Sequence, residues 1–463
     1  MNALTFSFPC ALFPSSNRTS SYASPKAITK DQSSTQHNKP LKNSSFLNVI
    51  LNACDNYIDT FIDPPPPRID SKYVSINNFA PVEEHPPTEC EVIKGSLPAC
   101  LDGAYIRNGP NPQYCPRGPF HLFDGDGMLH STRISQGKAI YCSRYVKTYK
   151  YLVEKEAGFS MIPNLFSDFN NLIALVSRGA VSITRMIAGQ FDHSNGIGPA
   201  NTSLALFGGK LFALCESDLP YAIKLASNGD IITMGRHNFD GNLSTSMTAH
   251  PKIDPNTGEA FAFSYGPIPP FLTYFRIQPN GTKSQDVPIF SMTRPSFVHD
   301  FAITKNYVIF PDIQVETNPL GLITGGAPVS NNSTKVPRLG VIPRYATNEV
   351  EMKWFQVPGF NMIHAINAWE EDDGATIVLI APNIISIDLV LAPYIISIEH
   401  FLEKLDLISA TIEKVKIDLK TGKVCRNLIS TRNLELAVIN PAYVGKKNKY
   451  VQLVYDYYLF LFI

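Results

Sequence analysis

The 463-residue chain lacks the features of several common functional classes. Its 40 basic residues balance 40 acidic ones, so no net field attracts nucleic acid. Its eight cysteines include no Cys-x-x-Cys pair, which argues against a zinc ribbon or a thioredoxin-like motif. Gly-x-Ser-x-Gly and phosphate-binding glycine loops are also missing, which argues against hydrolase and nucleotide chemistry.

Acidic residues are scarce at the start of the chain, where residues 1–55 differ in composition from the rest. The first 54 residues are rich in Ser and Thr, carry five Lys or Arg residues and contain a single acid, Asp31. This composition is typical of an organelle transit peptide. The alternative, a secretory signal with Ala3–Phe13 as its apolar core, has no preceding positive charge and is interrupted by Pro9. We therefore expect a transit peptide over 1–55.

Four consecutive prolines, Pro64–Pro67, predict a stiff, extended linker over residues 56–70. Beyond it, apolar strand-like segments alternate with Asn-Gly and Thr-Gly turns, which supply the positive φ of tight hairpins. The predicted hairpins are Ile223–Ile232, Ile253–Phe261, Ile277–Thr282 and Val415–Val424. Repeated antiparallel hairpins predict an all-β fold, either a propeller, a large sandwich or a barrel.

One segment has the period of a helix. Apolar side chains recur at three- and four-residue steps at Ile162, Leu165, Phe166, Phe169, Leu172, Ile173 and Val176. Such a helix either packs on the β-sheet body or inserts its apolar face into a membrane surface to collect a lipid-soluble substrate.

Three histidines, His250, His299 and His364, lie in apolar, strand-like surroundings. A single histidine in such a strand is usually structural, whereas three in similar settings leave a metal centre and a structural role equally open. Imidazole is the commonest metal ligand, and an all-nitrogen site suits iron or zinc. The number of residues between consecutive histidines is enough for at least one propeller blade, which takes roughly 40–50 residues. Each histidine can therefore come from a different blade, which favours the propeller.

Four longer motifs resemble the carotenoid cleavage dioxygenases, and among them the plastid type-four enzymes of plants, followed by the 9-cis-epoxycarotenoid dioxygenases. These motifs are Gly103–Pro112, Phe120–His130, Phe297–Thr304 and Asn440–Lys447. The resemblance implies an oxygenase domain over residues 71–450. It also implies a seven-bladed β-propeller with a helical dome, and a chloroplast location for the mature protein at the stroma, the thylakoid surface or a plastoglobule.

In this family a non-haem Fe(II) is held by four histidines, and the resemblance assigns the first three to His250, His299 and His364. Carboxylates that orient these imidazoles are assigned to Glu216 and Glu435. The implied substrates are O2 and a carotenoid or apo-carotenoid. The implied reaction cleaves the 9,10 (9′,10′) double bond into a C13 ketone and a longer aldehyde.

The C-terminal segment departs from the family pattern. Residues 451–463 form an apolar tail, no histidine follows His400, and the surroundings of His400 make it a poor substitute for the fourth ligand. We therefore expect a C-terminally truncated chain with an incomplete propeller. The alternative functions are a catalytically impaired carotenoid-binding fragment and a relative of the 9-cis-epoxycarotenoid dioxygenases.

Overall fold

A computed structural model of the chain describes residues 45–62, 81–114, 123–162, 172–317, 329–385, 387 and 409–455. Over these ranges the protein is all-β, as the hairpin pattern predicted. The strands form five sheets of four strands and two of two strands, all antiparallel, and three α-helices accompany them.

The first two four-stranded sheets come from the N-terminal half. Sheet 1 contains β1 (His85–Glu89), β2 (Gly103–Asn111), β3 (Asp126–Ser135) and β4 (Lys138–Tyr145), in the spatial order β1-β4-β3-β2. Sheet 2 contains β5 (Ser203–Phe207), β6 (Lys210–Leu214), β7 (Tyr221–Leu225) and β8 (Ile231–Arg236), in chain order.

The other three four-stranded sheets follow along the chain. Sheet 3 contains β9 (Lys252–Ile253), β10 (Ala260–Tyr265), β11 (Leu272–Ile277) and β12 (Val287–Ile289). Sheet 4 contains β13 (Ala302–Ile303), β14 (Tyr307–Asp312), β17 (Arg338–Pro343) and β18 (Lys353–Gln356). Sheet 5 contains β19 (Asn367–Glu371), β20 (Thr376–Ile384), β21 (Ala410–Asp418) and β22 (Val424–Ser430).

The two-stranded sheets are β15 (Val315–Thr317) with β16 (Val329–Asn331), and β23 (Leu434–Val438) with β24 (Gln452–Tyr455). Strand β24 lies inside the segment 451–463 that the sequence suggested was aberrant. Its backbone pairs with β23, with Gln452 opposite Val438. The first residues of that segment are therefore part of the β structure.

Turn chemistry explains why these segments pair as hairpins. Gly229, between β7 and β8, has a φ of +88°, and its N–H donates to the carbonyl of Ala226. Gly422, between β21 and β22, has a φ of +73°. Only glycine adopts such angles without steric cost, so the Asn-Gly and Thr-Gly pairs fix the position of each turn. All four predicted hairpin regions contain antiparallel pairs.

The core lies between consecutive sheets, and strand β10 illustrates how. Its phenylalanines, Phe261 and Phe263, pack toward sheet 4, whereas Ala260 and Ala262 pack toward sheet 2. Successive side chains of a strand point to opposite faces, so a strand buried on both faces is apolar throughout. Similar clusters join sheets 1 and 2, sheets 4 and 5, and sheet 5 with the β23–β24 pair.

Three helices lie outside the sheets: α1 (Ser45–Tyr57), α2 (Tyr149–Ala157) and α3 (Leu172–Ile187). Helix α2 begins where the hydroxyl of Thr148 accepts the N–H of Tyr151, and it ends at Gly158, which has a φ of +81°. Both are ordinary helix-capping arrangements. Helix α1 continues into a short π-helical turn, Ile58–Ile62.

Ion pairs join helix α1 and the turn that follows it to α3, and the pair made by Arg185 is buried. The guanidinium of Arg185 lies 2.7 Å from the carboxylate of Asp55, and that of Arg178 lies 2.8 Å from Asp59. The transit-peptide boundary expected at residue 55 therefore falls inside a helix that packs on the body. Composition did not reveal this helix, because the partner of its one charged residue, Asp55, is Arg185, which lies far along the chain.

The helix predicted over residues 162–176 is confirmed at its C-terminal end, where Leu172, Ile173 and Val176 lie in α3. Ile162 lies at a bend, and α3 begins at Leu172 and continues to Ile187. Residues 163–171, which include Phe166 and Phe169, lie outside the described residues. The linker prolines and His400 also lie outside them. Within the described part of the chain, all six cysteines are free thiols.

Candidate metal centre

The three predicted histidines come from three consecutive sheets. His250 lies in the loop that enters β9, His299 in the loop that enters β13, and His364 in the loop that enters β19. Each of these is the first strand of its sheet. The sequence placed the histidines in strands, which is wrong by two or three residues, because the apolar pattern of each strand extends into the loop before it.

The structure brings the three imidazoles together. Their ring centroids lie 4.6 Å apart for His250 and His299, 5.0 Å for His299 and His364, and 5.3 Å for His250 and His364. One nitrogen from each ring lies within 4.8 Å of the others. The rings meet edge to face. Because one nitrogen of each ring is close to those of the other two, the three nitrogens surround a common point.

Glu216 and Glu435 lie behind two of these rings. Nδ1 of His299 is 2.7 Å from Oε1 of Glu216, and Nδ1 of His364 is 3.1 Å from Oε2 of Glu435. Glu216 lies in the loop after β6 of sheet 2, and Glu435 lies in β23. A carboxylate that accepts Nδ1–H fixes the tautomer, so the Nε2 lone pair faces away from it. Both carboxylates thus turn an Nε2 lone pair toward the cluster.

Burial and charge affect two of the histidines differently. Burial lowers the pKa of His250 well below its ordinary value, and the neighbouring His299, His364 and Lys252 lower it further. Burial also lowers the pKa of His364, but the carboxylate of Glu435 and that of Asp300 outweigh this effect and raise it overall. His250 is therefore a neutral imidazole that can serve as a metal ligand. The surroundings of His364 instead favour the positively charged form of its ring.

The cluster fits a metal ion. Nε2 of His250 lies 2.9 Å from Nε2 of His299. Two nitrogens that each lie about 2.1 Å from one ion, at right angles, are about 3.0 Å apart. Because the Nδ1 atom of His299 holds the proton, its Nε2 atom carries a lone pair, which is what a cation requires. The donor set, imidazole nitrogen throughout, is one that iron and zinc accept.

Aromatic side chains border the cluster. The ring of Phe297 is stacked on that of His299, with centroids 5.9 Å apart and planes 5° apart. Tyr265 meets Phe297 edge to face at 6.3 Å. Phe297 lies in one of the recognised motifs, but sequence reasoning gave Tyr265 no role. It ends β10, and only the fold brings it near residue 297.

The comparisons with known sequences are extensive. The family model described as RPE65, retinal pigment epithelial membrane protein, matches residues 79–456. A probable chloroplastic carotenoid cleavage dioxygenase 4 of Arabidopsis thaliana is 61% identical over 407 residues, or 87% of this chain and 67% of that protein. A chloroplastic 9-cis-epoxycarotenoid dioxygenase of Oryza sativa subsp. japonica is 54% identical, over 86% of this chain and 62% of that protein. The chain thus spans about two thirds of the length of these relatives.

Solved structures agree with the sequence comparisons. A lignostilbene dioxygenase of Pseudomonas brassicacearum matches with a TM-score of 0.66 at 27% identity, covering 83% of this chain and 76% of that one. A cobalt-substituted Synechocystis apocarotenoid oxygenase matches with a TM-score of 0.63 at 25% identity, covering 81% and 76%. From the family match, the identities and the shared architecture, we conclude that this chain belongs to the carotenoid cleavage dioxygenase family.

Proposed function

We propose that the protein is an Fe(II)-dependent dioxygenase that cleaves one double bond of a carotenoid or apo-carotenoid into two carbonyl products. The observation that carries this proposal is the meeting of His250, His299 and His364, with two of the rings backed by carboxylates. A related apocarotenoid oxygenase accepts cobalt in place of its own metal, which supports a metal at the equivalent place here.

We further infer that the sheets are blades of a seven-bladed β-propeller around this cluster, with the helices as part of a dome. Sheets 2, 3, 4 and 5 and the β23–β24 pair follow one another along the chain. They contribute Glu216, His250, His299, His364 and Glu435 in that order. Successive blades that each supply one inward residue produce this pattern.

In this mechanism the protein's own side chains orient the metal ligands and hold the substrate. Glu216 and Glu435 hold Nδ1–H, so the Nε2 atoms of His299 and His364 stay available as ligands. A bound Fe(II) would be held by His250, His299 and His364 and would supply the activation of dioxygen. Phe297 and Tyr265 offer an apolar wall, which holds a polyene by shape and aromatic contact rather than by hydrogen bonds. Both oxygen atoms of O2 enter the products, one on each carbon of the cleaved bond.

The proposed bond is the 9,10 (9′,10′) double bond. Carotenoid 9,10(9′,10′)-cleavage dioxygenases of Phaseolus vulgaris and Arabidopsis thaliana are 38% and 39% identical to this chain over 81% of its length. A zeaxanthin 7,8(7′,8′)-cleavage dioxygenase of Crocus sativus is 50% identical, but over only 57% of the chain. The 9-cis-epoxycarotenoid dioxygenases give the alternative substrate class. The sizes of the carbonyl products distinguish these possibilities.

The protein is expected at a chloroplast lipid surface. Both relatives described above are named chloroplastic. We propose that the leader ends before Ser45, because α1 packs on α3 through Asp55. Import into isolated chloroplasts followed by N-terminal sequencing checks this boundary. A mature N-terminus beyond Ser45 would contradict it.

Membrane contact is proposed for the outer faces of α1 and α3. Among the described residues, no helix is both long and apolar enough to span a bilayer. The charged side chains of α1, its π-helical turn and α3 pair with one another, as Asp55 with Arg185 and Asp59 with Arg178. The outward side chains are apolar and exposed, namely Phe46, Val49, Ile50, Tyr57, Phe61, Ile173, Val176, Ile183 and Ile187. An exposed apolar helix pair of this kind can lie in the membrane interface.

Metal binding and cleavage are tested together. Protein purified without oxygen and loaded with Fe(II) should hold about one iron per chain, as three imidazoles around one point require. It should release a C13 ketone from a C40 carotenoid, measured by liquid chromatography and mass spectrometry. His250→Ala should lose most of the iron and all the product, whereas His193→Ala, an exposed histidine, should lose neither. Bound iron without product would favour the carotenoid-binding alternative, and no iron would refute the metal site.

Removing one orienting carboxylate should weaken metal binding without abolishing it. Glu216→Gln and Glu435→Gln should each raise the dissociation constant for Fe(II) by roughly 10–100-fold, because the amide no longer fixes the Nδ1–H tautomer. Metal titration measures the change. Unaltered affinity in both variants would mean that these carboxylates do not orient the ligands.

Charge placed on the outer face of α3 should weaken membrane association. Ile183→Glu with Ile187→Glu should lower partitioning onto neutral liposomes by about tenfold or more, since each buried isoleucine contributes about 1.5–3 kcal/mol. Val350→Glu, at an equally exposed apolar residue outside these helices, is the matched control. Binding of the native protein should persist in ~1 M NaCl, because it does not depend on exposed charge. Equal partitioning of all three proteins would refute this role.

A further inference from the structure

A buried carboxylate next to the metal cluster has contacts that the proposed reaction does not explain. Asp300, directly after His299, is only 2% exposed. Its Oδ1 accepts the N–H of Phe301 at 2.7 Å and lies 2.6 Å from the ammonium of Lys252. Its Oδ2 accepts the N–H of Ala365 at 2.8 Å. Both oxygens of this one carboxylate are therefore used.

These partners share one property, which is their position in the chain. Lys252 lies two residues after His250, Phe301 two residues after His299, and Ala365 directly after His364. The three segments enter sheets 3, 4 and 5, which are otherwise separate hydrogen-bonded units. A buried carboxylate must be satisfied by hydrogen bonds and a counter-charge, but nothing requires its partners to come from all three ligand segments. One side chain thus connects every loop that carries a proposed ligand.

We propose that Asp300 is a positioning residue that fixes the spacing of the three histidine-bearing loops, so that their Nε2 atoms meet. This inference rests on the proposed metal site. Glu216 and Glu435 act on imidazole rings and determine their tautomer and rotation. Asp300 contacts backbone groups and a neighbouring side chain, and so determines how far apart the ring-bearing segments lie. Misplacing a ligand or reacting group by about 1 Å is enough to impair such sites.

The substitution Asp300→Asn tests this role with little change in shape. A carboxamide has one oxygen and one NH2 group, so it cannot accept from Ala365 and face Lys252 with oxygen at the same time. In either orientation one loop loses its contact, and a donor faces a donor. The rings and their two glutamates are left intact.

The chain contains a matched control in Asp254. It is also buried, at 6% exposure, and its Oδ1 accepts two backbone N–H groups, from Asn256 at 2.7 Å and Thr257 at 3.2 Å. Its Oδ2 lies 2.6 Å from the guanidinium of Arg344. The chemistry is the same as at Asp300, but these partners belong to its own turn and to the end of β17. Asp254→Asn therefore reports the cost of disrupting a buried ion pair that does not link the histidine loops to one another.

The experiment is a Co²⁺ titration of metal-free protein, followed by its visible absorption, with thermal unfolding measured in parallel. The native protein should bind Co²⁺. Asp300→Asn should raise the dissociation constant at least tenfold and change the absorption bands, which report ligand geometry. Asp254→Asn should lower the unfolding temperature by a similar amount while its dissociation constant stays within about twofold, because Asp254 shares no partner with Asp300.

The outcomes separate this inference from the proposed function. Failure of the native protein to bind metal would refute the metal site itself. Native-like affinity and absorption bands in Asp300→Asn would overturn the positioning role and leave the metal site standing. If Asp300→Asn does not fold, Lys252→Met replaces it, since it removes the His250 link alone. That variant should weaken Co²⁺ binding severalfold, and unchanged binding would overturn the inference.

Discussion

Imidazoles that meet at one buried point can bind a metal ion only if each turns a lone pair, rather than an N–H group, toward that point. Two of the three rings satisfy this condition through a carboxylate at Nδ1, from Glu216 for His299 and from Glu435 for His364. His250 satisfies it through burial, which lowers its pKa well below the ordinary value. The sheets, loops and carboxylates around the site can be understood as the means of meeting this one constraint.

Repeated four-stranded sheets position the three imidazoles so that they satisfy this constraint. Each four-stranded sheet packs on the next through apolar side chains on both faces of its strands, and this fixes the first strand of every sheet. A residue in the loop just before that strand then projects from a rigid element. Sites supported by strands in this way are more accurately positioned than sites built on long loops. Each ligand lies only two or three residues before the strand that supports it, so small contacts such as those of Asp300 can determine the final spacing of the ligands.

Much of this could be predicted from sequence, because its signals are local. Asn-Gly and Thr-Gly turns identified hairpins such as β7–β8, and apolar surroundings identified the three histidines. The rest depends on contacts between distant segments. Helix α1 was not predicted, because its segment has the composition of a leader. Its one charged residue, Asp55, pairs with Arg185 of α3 only in the folded protein. The interatomic contacts of Asp300 join residues 252, 300 and 365, and no spacing along the chain indicates them.

Charge adds a final constraint on the kind of ion. Glu216, Glu435 and Asp300 contribute three negative charges around the neutral rings, and Lys252 contributes one positive charge, which leaves two negative charges. The raised pKa of His364 reflects the same imbalance, since its neighbours favour a positive charge. A divalent cation balances these four groups, and nitrogen donors narrow the choice to metals such as iron and zinc. Zinc has no redox chemistry, which is why iron rather than zinc is the metal proposed for this site.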